Sequence, residues 1–235
     1  MTKVLGIIGG MGPLPTIKLF EKIVLLTKAN KDQEHIHILI DNNTSIPDRT
    51  AYILDDKFED PRFELIKSAK RLEKAGADFL IMPCNTAHHF YEEIKRSINI
   101  PFLNMIEETA KYIEKSYKNI NRVGLLGTDG TIKAKIYDKV FNDYGIQIVY
   151  PSIENQKYVY ELIYNIKEDI RQENLDGFYK AMDEVRNQGI DIFIAGCTEI
   201  SVALEMFSLK GNFIDPLDII SVSAIEFAGK EIKSL

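Results

Sequence analysis

The sequence predicts an α/β protein of two pseudo-symmetric domains, each with a mainly parallel sheet, and an active site in the cleft between them. Three observations carry that expectation. Short apolar runs alternate with helix-spaced segments along the chain, the pattern of parallel strands with helices packed on both faces. Two strand-like runs ending in glycines, Val4-Leu5-Gly6-Ile7-Ile8-Gly9-Gly10-Met11-Gly12 and Val123-Gly124-Leu125-Leu126-Gly127-Thr128-Asp129-Gly130-Thr131, repeat one another. The only two cysteines follow these runs at nearly equal intervals, in the matching contexts Ile81-Met82-Pro83-Cys84-Asn85-Thr86-Ala87-His88 and Ile194-Ala195-Gly196-Cys197-Thr198-Glu199-Ile200. Two halves facing each other across one site, each giving one thiol, account for the repeat.

Taken in order, apolar runs over 4–8, 36–40, 79–82, 123–126, 146–149 and 190–195 read as strands. Helical spacing fills 16–29, 61–75, 87–97, 107–116, 131–144, 156–171 and 175–188, with a last helix over 219–232. The runs Lys74-Ala75-Gly76-Ala77-Asp78 and Asn187-Gln188-Gly189-Ile190-Asp191 are matching helix stops. Each places a glycine in the left-handed position before the strand that leads to a cysteine. The expected division is a first domain over 1–117 carrying Cys84, joined by the C-terminal helix 219–235, and a second over 118–218 carrying Cys197. In sheets of this kind ligands collect at the carboxyl ends of the strands.

Bulk properties narrow the function. In 235 residues no apolar stretch approaches the roughly 18 that a membrane helix needs. A net charge of −6 argues against nucleic acid, which is bound through clustered basic surface. The N-terminus enters a strand after one lysine, without the basic region, apolar region and cleavage site of a secretory leader, so the cytoplasm is expected. In that reducing compartment two cysteines are reactive or simply buried rather than disulfide-bonded. The four histidines show no HExxH spacing and the cysteines no Cys-x-x-Cys pair, so no metal site is expected.

A cysteine leaving a strand and entering a helix has its sulfur near first-turn N–H groups, whose partial positive charge favours thiolate. Gly9-Gly10-Met11-Gly12-Pro13 lacks the G-x-G-x-x-G dinucleotide order; its glycines let backbone N–H groups approach a carboxylate or phosphate, or simply make a tight turn. Ile46-Pro47-Asp48-Arg49-Thr50 puts an acid and an arginine in a loop at the same sheet edge, where Arg49 can grip a carboxylate with two parallel N–H bonds or join a surface ion pair. Asn85, Thr86 and Thr198 are ligand donors or ordinary helix caps. Glu199 can tune the adjacent thiol, and His88 reads as a structural or surface residue.

Together these motifs, with Gly127-Thr128 and Gly130-Thr131, make the chain resemble the aspartate/glutamate racemase superfamily, and within it the aspartate racemase branch, almost end to end. The resemblance implies a cofactor-independent amino-acid racemase. One cysteine, as thiolate, removes the α-proton; the other, as thiol, delivers a proton to the opposite face. Cys84 and Cys197 match those positions. Met11, Arg49, Asn85, Thr86, Thr128, Lys167 and Thr198 match substrate-binding positions: Arg49 and Lys167 for the side-chain carboxylate, Asn85, Thr86, Thr128 and Thr198 for the α-carboxylate and amino group. Asp48 and Glu199 are nearby acids. The partners implied are a small acidic amino acid and a second copy in a homodimer, with no nucleic acid or membrane.

Two departures from the family pattern bear on pocket shape. Pro15 stands where small residues such as alanine are usual, and Asn43-Thr44-Ser45 replaces the Asn-Pro that often precedes Pro-Asp-Arg-Thr. Two alternatives stay open: a related decarboxylase or isomerase on the same fold, and a non-catalytic amino-acid-binding protein.

Overall fold

Glycine-ended apolar runs become the central strands of two parallel sheets. The computed structural model describes residues 2–170 and 174–233. Its first half contains β1 (Leu5–Gly9), α1 (Pro13–Leu26), β2 (Ile38–Asn42), α2 (Arg49–Leu54), α3 (Arg62–Lys74), β3 (Phe79–Ile81), α4 (Tyr91–Arg96) and α5 (Met105–Ser116). The chain continues through β4 (Arg122–Gly127), α6 (Asp129–Lys133), α7 (Ile136–Phe141), β5 (Gln147–Val149), α8 (Ile153–Lys167), α9 (Asp176–Arg186), β6 (Ile192–Gly196), α10 (Thr198–Met206), β7 (Asn212–Ile214) and α11 (Pro216–Phe227). The sheets have the orders β2-β1-β3 and β5-β4-β6-β7, and every pairing between these strands is parallel. The order β5-β4-β6 repeats β2-β1-β3, which is the duplication seen in the motifs.

Both central strands are buried on both faces, which is why they read as near-continuous apolar runs. On the first sheet Ile8 and Leu80 meet Leu65 and Leu72 of α3, while Ile7 and Phe79 face Leu19 and Ile23 of α1 and Leu217 and Ile220 of α11. On the second, Leu126 and Phe193 meet Val159 and Leu162 of α8, while Val123 and Leu125 face Ile106 and Ile113 of α5 and Tyr137 of α7. Each fully buried Leu, Ile or Phe contributes about 1.5–3 kcal/mol relative to exposure. Thus α11 covers the first sheet and α5 the second.

The strand register brings the glycine runs and the cysteines to one edge. Ile7 lies opposite Ile81 and Gly127 opposite Gly196, so Thr128 and Cys197 leave adjacent strands side by side. Gly76 and Gly189 adopt φ of 99° and 80°, the left-handed stops expected before β3 and β6.

Several elements differ from expectation. The helix expected over 131–144 is broken at Lys135, whose φ of 50° is left-handed, and its two parts point α7 into the core of the second half. The segment after Cys84 opens as a 3₁₀ turn over Thr86–Phe90 before α4 begins. The second strand sits two residues later than the apolar run because it pairs with the whole of β1, Gly9 opposite Asn42. α1 starts at Pro13: Pro13 and Pro15 lie in its first turn, where no intrahelical N–H is needed, so Pro15 fits without disruption. The helix expected over 156–171 ends at Lys167, and the C-terminal helix runs over Pro216–Phe227, stopped by Gly229 in the left-handed region (φ 79°); Arg171 and residues 234 and 235 lie outside the described residues. α2 and β7 carry no expectation, being too short to show a period, while α10 is the helix expected to follow Cys197, its extent hidden because six consecutive residues are buried, which erases its amphipathic stripe.

Candidate active site

The first wall of the site is the turn after β1. Gly10 adopts a φ of 90°, and a side chain there would run into the Asn43 backbone. Thr16 pins the turn, its hydroxyl accepting from the Gly10 N–H at 3.0 Å and donating to the Gly12 carbonyl at 2.9 Å. Asn43 shapes the neighbouring loop: its Oδ1 accepts from the Ser45 N–H at 3.1 Å and the Ser45 hydroxyl at 2.6 Å. This side-chain-bonded turn shapes the Asn43-Thr44-Ser45 stretch.

The Asp48-Arg49 pair is not in a loop. Asp48 caps α2, its Oδ1 accepting from the Ala51 N–H at 2.7 Å, and Arg49 is the first helical residue. The Arg49 fork is largely committed to backbone: Nη1 donates to the carbonyls of Pro47 at 3.0 Å and Ile46 at 3.3 Å, and Nη2 approaches the Met11 carbonyl at 3.5 Å. Its Nε is buried without a partner. The grip on a carboxylate with two parallel N–H bonds is therefore not preformed, because the cation also fastens the loop before α2 to the β1 turn.

Twelve side chains converge on one narrow cavity of about 10 Å³, room for about one water molecule. From the first half come Met11, Asp48, Arg49, Cys84, Asn85 and Thr86. Thr128, Lys167, Cys197, Thr198 and Glu199 face them from the other half, so the structure brings together every candidate site residue. Thr50 completes the lining and received no role from the sequence, though it stands in the same motif as Arg49. A larger pocket of about 250 Å³ adjoins it, bounded by the 10–15 turn and Ile166, and shares Met11, Asp48, Arg49, Lys167 and Glu199 with the inner cavity. The groove of about 670 Å³ between α5, α11 and β7 contains neither cysteine.

Both thiols are free and buried. Cys84 lies in the turn between β3 and the 3₁₀ segment. His88 holds that turn: its Nδ1–H donates to the Cys84 carbonyl at 2.8 Å and its Nε2 accepts from the Met105 N–H at 3.2 Å. That pair of bonds fixes a neutral imidazole, and burial pushes its pKa down to about 4.

Cys197 caps α10, and its sulfur donates to Glu199 Oε2 at 2.7 Å. Burial pushes the Cys197 thiol well above its ordinary range, the Glu199 charge pushes it further, and Lys167 pulls the other way. Lys167 stands at the end of α8 with its ammonium 4.5 Å above the Tyr164 ring. Partial burial lowers its pKa, but the negative charge at Cys197 and Glu199 outweighs that and raises it overall.

Hydroxyls join the halves. Thr86 lies 2.9 Å from both Thr128 and Thr131, which are 3.0 Å apart, and Thr128 also caps α6 by accepting from the Thr131 N–H. Asn85 precedes the 3₁₀ segment but its side chain makes no capping bond; its Oδ1 accepts from the Tyr137 hydroxyl of α7 at 2.5 Å. Tyr137 left no signal in the sequence, since its place depends on the break at Lys135. Among the described residues no group of three or more His, Cys, Asp and Glu side chains is arranged to hold a metal ion, and no helix is long and apolar enough to cross a membrane.

The cavity thus gathers two thiols, two cations, two carboxylates and a set of neutral donors. A broad-specificity amino-acid racemase of Bacillus subtilis is 31% identical over 227 residues, covering 94% of this chain and 96% of that protein. The structure of Picrophilus torridus aspartate racemase superposes with a TM-score of 0.85 at 33% identity, covering 98% of this chain and 96% of the other. An aspartate racemase homologue from Pyrococcus horikoshii gives a TM-score of 0.73 at 25% identity, covering 97% of this chain and 100% of its own. The family model described as Asp/Glu/Hydantoin racemase matches residues 8–224, a span that takes in both cysteine motifs and both sheets, and the chain belongs to that family.

Proposed function

We propose that this protein racemises an acidic amino acid, aspartate foremost and glutamate within reach, by a two-base mechanism without a cofactor. The single observation that supports it best is the cavity holding Cys84 and Cys197 together with Arg49 and Lys167. Inverting an α-carbon needs a base on one face and an acid on the other. Two sulfurs from opposite halves supply that pair.

In one direction the Cys84 thiolate takes the α-proton, and the electron pair left on carbon spreads into the α-carboxylate. Asn85, Thr86, Thr128 and Thr198 donate to that carboxylate as its charge grows. Cys197, kept protonated by burial and by Glu199, then gives its proton to the opposite face. The result is the mirror-image amino acid, a Cys84 thiol and a Cys197 thiolate, and the reverse direction starts from that state. Lys167 favours the Cys197 thiolate and, with Arg49, receives the side-chain carboxylate. These two cations support an acidic substrate over a hydantoin. A homodimer in the cytoplasm belongs to the same proposal and rests on the family resemblance.

The test is proton NMR in D₂O with L-aspartate and then L-glutamate, without pyridoxal phosphate, followed by chiral chromatography. Loss of the α-proton signal with formation of the D-isomer is expected. No exchange with either amino acid would leave a binding protein or another reaction on this fold.

A further inference from the structure

Asn85 is 2% exposed and lines the cavity, yet its Nδ2 has no hydrogen-bond partner. A buried amide N–H₂ without an acceptor costs about 1–3 kcal/mol, so its persistence calls for a reason. The other end of the same amide is fully engaged. Tyr137 is completely buried in the core of the second half, and its hydroxyl donates to Asn85 Oδ1 at 2.5 Å. The opposite amide orientation would strand both the Tyr137 O–H proton and Oδ1, so the tyrosine selects the rotamer in which the unpaired end can only donate.

We propose that Tyr137 is a positioning residue that locks the Asn85 amide across the junction of the two halves, so that Nδ2 donates to the α-carboxylate of the substrate. This rests on the racemase reading above for the identity of the ligand, but only a carboxylate is needed for the contact. A free Asn rotates about its side-chain bonds and presents acceptor or donor alike; Tyr137 removes the choice. Because Tyr137 belongs to α7 and Asn85 to the loop after β3, the donor is correctly aimed only when the halves are docked. Burial also raises the Tyr137 phenol well above its ordinary range, so it stays a donor throughout the working pH range.

The test is a double-mutant cycle with Tyr137→Phe and Asn85→Ala. It is read by calorimetric titration with succinate, which has both carboxylates of aspartate but no amine, and by α-proton exchange of L-aspartate. Tyr137→Phe is expected to weaken succinate about tenfold and to lower kcat/KM for aspartate by more than that. Asn85→Ala is expected to weaken both ligands at least as much, and adding Tyr137→Phe to it to change binding by less than about twofold. Independent, multiplicative effects, or unchanged succinate affinity in Tyr137→Phe, would overturn the inference. Thermal unfolding midpoints accompany each variant. If Tyr137→Phe fails to fold, Asn85→Asp decides, since it keeps the acceptor for Tyr137 and replaces the donor; succinate binding as tight as wild type there overturns the role of Nδ2. Wild-type protein that binds succinate but exchanges neither amino acid defeats the racemase reading while the cycle still decides the amide; binding of neither ligand defeats both.

Discussion

Cys84 and Cys197 follow the third strand of their respective sheets, yet the two thiols are held by different means. The Cys84 turn is held through its backbone: its N–H donates to the Met82 carbonyl at 3.0 Å and its carbonyl accepts from His88. Cys197 is held through its sulfur, by Glu199, at the start of a full α-helix. The duplication determines where the thiols stand. Local chemistry then sets them apart: burial and Glu199 favour the Cys197 thiol, which the proposed mechanism uses as its first acid.

The sharpest way to break this contrast is to remove each sulfur. Cys84→Ala and Cys197→Ala are each expected to lower racemisation about a thousandfold or more, on the order of 4 kcal/mol. In D₂O each variant keeps slow α-proton exchange of one isomer only, and of opposite isomers, by NMR. Equal residual exchange of both isomers in both variants would remove the division of labour.

His88 comes next. Its pKa is lowered to about 4 in the folded protein from an ordinary 6.5, so the unfolded chain binds more protons between those values. The stability it contributes is present above pH 6.5 and is lost as pH falls toward 4, by about 3 kcal/mol. Asp215, raised to about 6 chiefly by burial, acts in the opposite sense over the lower part of that window. The His88 share is therefore read as a difference: the stability gap between wild type and His88→Asn, from urea unfolding at pH 7 and pH 4, narrows by about 3 kcal/mol in acid. A gap independent of pH contradicts the neutral clamp on the Cys84 turn.

Glu199→Gln sharpens the comparison from the other side. Removing the carboxylate charge lowers the Cys197 pKa, so the limb of the pH–rate profile governed by Cys197 moves to lower pH by about one unit. The direction that needs the Cys197 thiolate gains at neutral pH relative to the direction that needs its thiol. An unmoved limb assigns Glu199 no part in tuning the sulfur.

The smallest effect concerns the junction that brings the two thiols together. A Cβ on Gly130 would lie 2.9 Å from the Thr50 Cα, backbone of the opposing half. Alanine in a helix is about 1 kcal/mol better than glycine, so on propensity alone Gly130→Ala should stabilise the protein. The contact argues that it instead shifts α6 against α2 and lowers kcat/KM about tenfold at little change in melting temperature, which steady-state kinetics and calorimetry separate.

The parts of this arrangement legible in the sequence are those written in short contiguous patterns. The glycine runs, the two cysteine contexts and the Gly76 and Gly189 stops fix the parallel α/β order because each depends on a few neighbouring residues. The candidate side chains were named from motif positions, and the structure gathers them in one cavity. What stayed hidden depends on distant partners. The break at Lys135 lies inside a run with unbroken helical spacing and is imposed by packing on the second core, so Tyr137 could not be placed. The backbone bonds that occupy the Arg49 fork come from a loop conformation that no periodicity reports. His88 looked structural or superficial, and only its two hydrogen bonds tie it to Cys84.

The cavity between the thiols has room for about one water molecule, while the pocket outside it is some 250 Å³. Four-carbon dicarboxylates are far larger than the inner space, so the proposed reaction requires the walls to separate to admit substrate and again to release product. Between those events the two buried sulfurs of the proposed reaction are shielded from bulk solvent. In the proposed reaction, isotope taken from the substrate is returned to the same molecule unless the walls open first.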